Sequence, residues 1–523
     1  MIRLRLLSLI LVLFAAIPAS ADELRIGQAA AATSVDPHFY NAAPNNGLAM
    51  HIFDRLTERS PAGKLRPGLA VSWVPVADTV WDFRLRQGVT FQDGQPLTAD
   101  DIVFSLARVP NVPNSPGGFA GLVRAIRSID VVDAQTLRIH TAGPAPNLPG
   151  DLASVAIISR HAGQGATTEE YNSGKAAIGS GPYKLVRYAS GDRVELARNE
   201  AWWGEQPEWD RVTIRFIPNA AARVAALLAG DVDIIDVPPA ADLPHLKANP
   251  KLSVFSAQGQ RMIFIQPDSS RTGEEPFVTD NEGNKLANNP FLDLRVRQAL
   301  SFAINREALA SRVMEDTATP TGQWLPPGTY SYDPAIKVPP YDPARAKALL
   351  AAAGFPKGFK LTLHTPNDRY PNDSGTAQAV AQMWTRIGVA TTVQALPWST
   401  YSARGSHQEW SIGLWGWGSN TGEAGYALIN VLGTYDPAKS RGASNQGRYS
   451  NPALDALTDR ALSTIDDNAR ESLLQQAEEM AMNDVAFIPL YQLVNYWATR
   501  KGVTYEARGD ERSLAFDAHH AKK

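Results

Sequence analysis

The amino-acid sequence predicts an α/β protein of at least two domains. Strand-like and helix-like segments alternate along the chain, as layered α/β architectures require. The stretch from Lys360 to Val393 has the strand–helix–strand order of a right-handed parallel crossover. At 523 residues the chain is also longer than a single core normally fills.

Taken in order, Glu23 to Gly27 reads as the first strand and Trp81 to Leu85 as another. Thr98-Ala-Asp-Asp101 precedes the apolar positions Ile102, Val103, Phe104 and Leu106. A threonine cap and first-turn acids are a helix-start signal. Arg211 to Ile217 reads as a strand, Ala222 to Leu228 as a helix stopped at Gly230, and Val232 to Val237 as a further strand. Gln266 to Pro290 is polar and aperiodic, which predicts a surface excursion or domain junction. A helix follows, with Val296, Leu300, Ala303 and Ile304 on one face.

In the second half, Asp342-Pro343 is a cap followed by a proline at the first helical position, and Gly354 is the stop. Lys360 to His364 reads as a strand and Ser374 to Ile387 as an amphipathic helix. Gly388 ends that helix, and Val389 to Val393 is the next strand. Ser411 to Trp415 is a short strand, Asp467 to Met482 a long helix, and Phe487 to Leu493 a strand returning to the first domain.

The first residues carry a compartment signal. Arg3 and Arg5 precede an apolar run from Leu6 to Ile17, then Pro18 and the small residues Ala19-Ser20-Ala21. This is the layout of a secretory signal peptide, with cleavage expected after Ala21. The run is shorter than the roughly 20 residues a spanning helix needs. With no cysteine there is no lipid attachment site and no disulfide, so the expected product is an exported, non-lipidated protein, free in solution and held by its own core.

The formal net charge is −3, and loss of Arg3 and Arg5 makes it more acidic. That excludes the basic footprint of a nucleic-acid binder and a polybasic membrane patch. No catalytic serine elbow, zinc helix, Walker loop or dinucleotide fingerprint is present. The nine histidines are scattered, and His519-His520 reads as an exposed, disordered polar end. No cofactor or metal site is expected.

A binding site is arguable from the fold class, because open α/β sheets bind ligands beyond the carboxyl ends of their strands. Two loops leave such ends: Thr365 to Asn372, carrying Arg369, and Gly416 to Glu423, carrying Trp417 and Ser419. If both strands share one parallel sheet, both loops open on the same edge. Arg369 suits a carboxylate, and Trp417 suits stacking on a ligand side chain. A surface ion pair for Arg369 and ordinary core packing for Trp415 and Trp417 are equally compatible with these residues.

The chain resembles the family 5 extracellular solute-binding proteins, the dipeptide- and oligopeptide-binding group. The resemblance rests on Val35-Asp36-Pro37, His51 to Leu56, Leu65 to Trp73 and Trp81 to Gly94. It continues through Gly179 to Leu185, Trp202-Trp203, Asp293 to Leu300, Gly447 to Pro452 and Ile488 to Tyr491. It implies a type II periplasmic-binding-protein fold: two lobes joined by a two-strand hinge, with an extra subdomain inserted in the first. The expected division is 22–52 with 174–270 and 490–518 as lobe I, 53–173 as the insert, and 271–489 as lobe II.

The implied function is ligand capture for an ABC importer, without catalysis. The partners are a peptide or peptide-like ligand and the permease subunits, with the protein itself a monomer. By residue, Arg369 matches the position that holds the ligand carboxylate. Asn420 stands where peptide binders place an aspartate against the ligand ammonium, and Glu423 is its possible substitute. Tyr40, Asn41 and Ala43 match a pocket-lining stretch of the first lobe. The neutral Asn420 departs from the family pattern and keeps non-peptide solutes open, among them opine-like compounds, oligosaccharides and metal chelates. An exported hydrolase is the alternative of another class.

Overall fold

The computed structural model describes residues 22–419, 421–439 and 441–522. The expected signal peptide and Asn420 lie outside the described residues.

Two long strands organise the molecule. Leu252–Pro267 and Ile488–Arg500 pair antiparallel with each other along most of their length. Their outer halves, Leu252–Gln258 against Val494–Arg500, belong to one core, with Leu252 and Ala498 buried beside Val232 and Ile235. Their inner halves, Met262–Ile265 against Ile488–Gln492, belong to another, with Ile263, Ile265 and Leu490 buried beside Leu363 and Leu414. The two strands thus run from one lobe into the other within a single twelve-stranded sheet.

The pairing breaks where the lobes meet. The register shifts between Gln258 and Met262, and Gly259 sits inside this irregularity. A Cβ on Gly259 would lie 2.4 Å from the Leu493 carbonyl oxygen, so the close approach of the two strands requires a glycine there.

On the first side, Glu23–Gln28 pairs parallel with Arg211–Phe216 and with Ile234–Asp236, and the last of these pairs antiparallel with Ile488–Arg500. A separate four-stranded antiparallel sheet, Ala70–Ala77, Val80–Leu85, Thr136–Thr141 and Ile126–Asp133, has its own core around Phe83, Ile102, Leu137 and Ile157. Thr98 and Asp101 form the capping box that starts Ala99–Arg108.

On the second side, Lys360–Pro366, the helix Asp373–Arg386 and Ala390–Leu396 form the expected parallel crossover. Gly388 lies at φ +103°, a conformation that favours glycine and ends the helix. Lys360–Pro366 also meets Ile412–Gly418 in parallel at His364 and Gly413.

Two sequence expectations are corrected, at the strand around Trp415 and at the chain's polar end. The strand expected to end at Trp415 runs on to Gly418, because Arg261 to Pro267 of the crossover strand pairs with it throughout. Trp417 is therefore a strand residue and not a loop residue. The polar segment after Gln266 is a mostly exposed or half-buried excursion, as expected, and is anchored by Arg271, which pairs with Asp268 at 2.7 Å and with the fully buried Glu275 at 3.2 Å. The expected disordered end instead forms the strand Ala518–His520 against Val503–Tyr505, and His520 stacks near Trp209.

The helix Ala43–Ile52 is tied to this C-terminal region through His51. Its Nδ1 lies 2.9 Å from the Gly47 carbonyl, and the Ala515 backbone N–H donates to its Nε2 at 2.9 Å. The ring is therefore neutral, with Nδ1 protonated, and burial pushes it down from 6.5 to about 4.

Two outcomes are expected. Replacing Gly259 by alanine forces the crossover strands apart, at a cost of about 1–3 kcal/mol in denaturant unfolding. For His51, the unfolded chain takes up a proton near pH 6.5 whereas the folded one does so only near 4. Stability therefore falls as pH drops through that window, by on the order of 2 kcal/mol between pH 7 and 5. In His51→Gln that part of the acid loss is expected to disappear when urea unfolding is compared at the two pH values.

Candidate functional site

A large open cleft of about 830 Å³ lies between the lobes, beside the crossover strands. The first lobe contributes Gln28 to Ala30, at and just beyond the end of the strand Glu23–Gln28, the Tyr40 to Pro44 segment, and Asp236 with Val237. The second contributes Arg369 and Tyr370, Trp398, and Trp415 to Gly418. The floor includes Arg261 and Phe264 of a crossover strand, and Glu511 to Ser513 close one side.

Arg369 is held by its backbone and left open at its tip. The loop after Lys360–Pro366 folds onto Asp373, whose Oδ2 accepts the backbone N–H groups of Arg369 at 3.2 Å and Tyr370 at 3.1 Å. Asn372 occupies the left-handed region at φ +50°, which asparagine tolerates, and its amide donates to the Val313 carbonyl. The side chain is exposed, and its guanidinium lies over the rings of Tyr370 and Trp398, at 5.3 and 5.4 Å. Among the described residues it has no carboxylate partner within ion-pair distance.

The other cleft charges are compensated. Arg261 donates to both carboxylate oxygens of Glu511, at 2.9 and 3.2 Å. Arg512 lies 3.3 Å from Asp510. Asp236 accepts from the Ala29 backbone N–H at 2.8 Å and lies 3.6 Å from Arg223. Burial pushes its carboxyl up to about 6 in spite of that guanidinium.

Trp417 pairs through its backbone with Met262, and its ring lies 5.3 Å from that of Tyr426. Trp415 is only 8% exposed and packs on Tyr401 at 4.6 Å, so most of its surface belongs to the core. Gly405 makes room for it: a Cβ there would meet the Trp415 ring at 2.5 Å. Tyr370 links the two loops, its hydroxyl donating to the Gly416 carbonyl at 3.1 Å.

The structure brings Tyr40, Asn41, Ala43, Arg369 and Trp417 to one cleft. Ser419 borders a smaller adjoining cavity, and its hydroxyl is engaged within its own loop, accepting from the Gly422 N–H at 2.9 Å. Glu423 is turned away from the cleft. Its carboxylate accepts from both terminal nitrogens of Arg470, at 2.6 and 2.7 Å, and it is 3% exposed. A carboxylate paired in this way is not offered to a ligand ammonium in the cleft.

Asp236, Arg261, Trp398 and Glu511 were not singled out from the sequence. The strand-end rule applied to the first half would have found Asp236. Arg261 and Glu511 meet only through tertiary folding, 250 residues apart.

Residues 64–439 match the family model of bacterial extracellular solute-binding proteins, family 5. Heme-binding protein A of Haemophilus influenzae is 29% identical, over 86% of this chain and 83% of that protein. Di/tripeptide-binding protein 1 of Pseudomonas aeruginosa is 27% identical over 94% and 93%. Among solved structures, HbpA2 from Haemophilus parasuis superposes with TM-score 0.82 at 24% identity, covering 96% of this chain and all of that one. The unliganded open form of MppA, a periplasmic murein tripeptide binding protein, gives 0.79 at 23% identity, over 97% and 98%. Both match the two-lobed α/β fold, and with the family model spanning most of the chain, this protein belongs to the bacterial extracellular solute-binding proteins of family 5.

Proposed function

We propose that the protein captures a short peptide or peptide-like carboxylate between its lobes in the periplasm and hands it to the permease of an ABC importer. The observation that carries this reading is the open guanidinium of Arg369 in an interlobe cleft whose other charges are already compensated. A planar guanidinium without a carboxylate partner suits bidentate binding of a ligand carboxylate.

Several relatives support the peptide assignment by name. One is the Pseudomonas aeruginosa protein above, and another is the dipeptide-binding protein of Escherichia coli, 25% identical over 86% of this chain. The division into 22–52 with 174–270 and 490–518, the insert 53–173, and 271–489 serves as the working description of the parts that close on the ligand. The monomer, the cleaved leader ending at Ala21 and the absence of catalysis complete the proposal.

Two features favour a second reading, a non-peptide solute in the same transport role. Asn420 is neutral where peptide binders carry an aspartate, and Glu423 is committed to Arg470. The Haemophilus influenzae relative is moreover called a heme-binding protein.

Native mass spectrometry of protein purified from its own periplasm separates the two. Short peptides recovered intact support peptide capture, whereas one non-peptide mass supports the second reading and cleaved fragments a hydrolase. In calorimetry with a carboxylate ligand, Arg369→Ala is expected to lose about 2 kcal/mol of binding. Unchanged affinity would remove Arg369 from the site. Asn420→Asp is expected to tighten ligands with a free α-ammonium by about 1.5 kcal/mol or more, the scale of a hydrogen bond to a charged group. No change across a dipeptide panel would remove residue 420 from the ammonium position.

A further inference from the structure

Seven of the 28 residues lining the interlobe cleft are aromatic, in a chain where aromatic residues make up 8%. Their distribution is uneven. Phe264 and Trp415 are nearly fully buried and serve as floor, while Trp417 and Tyr426 are only half-buried and stand side by side on the second lobe. Trp398 already carries the Arg369 guanidinium over its ring. The Trp417–Tyr426 wall is thus the apolar surface that a ligand side chain meets beside the carboxylate-binding arginine. The two are joined through Tyr370, which follows Arg369 in the chain and bonds the carbonyl of Gly416, the residue before Trp417.

A second observation points to an occupant. Trp417 Nε1 and Gln446 Oε1 both belong to cleft-lining residues, are shielded from water, and have no hydrogen-bonding partner among the described residues. A buried donor and a buried acceptor without partners call for groups that complete them.

We infer that this cleft selects ligands bearing an aromatic side chain, seated against Trp417 and Tyr426, with the ligand carboxylate on Arg369. The inference rests on the peptide-capture reading and narrows it. Ring-on-ring packing adds to the burial of the side chain, and the two together correspond to about a tenfold gain over an alanine side chain.

The test is calorimetry of the purified mature protein with three probes: alanylphenylalanine, dialanine and 3-phenylpropionate. The expected result is at least tenfold tighter binding of alanylphenylalanine than of dialanine. That ratio should fall toward one in Trp417→Leu and persist in Trp417→Phe. Should Trp417→Leu fail to fold, as thermal melting would show, Tyr426→Leu reads the same wall from a residue outside the sheet and should lower the ratio likewise. Equal affinity for the two dipeptides overturns aromatic selection and leaves peptide capture standing. Binding of 3-phenylpropionate alone, weakened in Trp417→Leu, overturns peptide capture and leaves aromatic selection standing. No binding of any probe overturns both.

Discussion

The antiparallel pairing of Leu252–Pro267 with Ile488–Arg500 is the constraint on which the rest depends. Backbone pairing fixes the distance and direction of two strands, but a register shift interrupts that control locally. Here the shift falls between Gln258 and Met262, where the strands leave one core and enter the other. The lobes are therefore joined by covalently continuous, hydrogen-bonded elements whose pairing is interrupted where the lobes meet and again between Ile263 and Phe264. Bending at such a joint repacks few side chains, which is the physical basis of hinge closure.

The same joint places the chemistry. Arg261 reaches the cleft from within the irregularity of one crossover strand, and Phe264 from the inner half that follows it. Trp417 reaches it because its strand pairs with that half, opposite Met262. Arg369 reaches it because the parallel contact of His364 with Gly413 brings its loop to the same sheet edge. On the other side the end of Glu23–Gln28 and Asp236 face the same space. The cleft gathers side chains from near both ends of the chain and from its middle, and sheet order is what makes them neighbours.

Much of this was legible in the sequence. The crossover from Lys360 onward, the caps at Thr98 and Asp342, and the stops at Gly230 and Gly388 are local signals with local causes. The rule that ligands bind beyond strand ends led to the Arg369 loop from composition and order alone. What was not legible depended on partners remote in the chain. The extension of Ile412–Gly418 past Trp415 needs the crossover strand beside it. The ordered C-terminus needs Val503–Tyr505 and Glu208. Glu423 read as a free carboxylate because the buried guanidinium that claims it, Arg470, lies 47 positions later on another helix.

The bond between Ala515 and His51 joins positions 464 apart, and the core around them also takes in Trp497, Tyr505 and Ala518. The core of the first lobe thus joins the strand Glu23–Gln28 to Ala515 and Ala518. A ribosome delivers these two segments far apart in time. The core that begins first cannot be sealed until Ala515 and Ala518 have been made, whereas most of the other lobe is already present in one continuous stretch. Assembly therefore runs against the order of the polypeptide, with the second lobe able to consolidate before the first is closed.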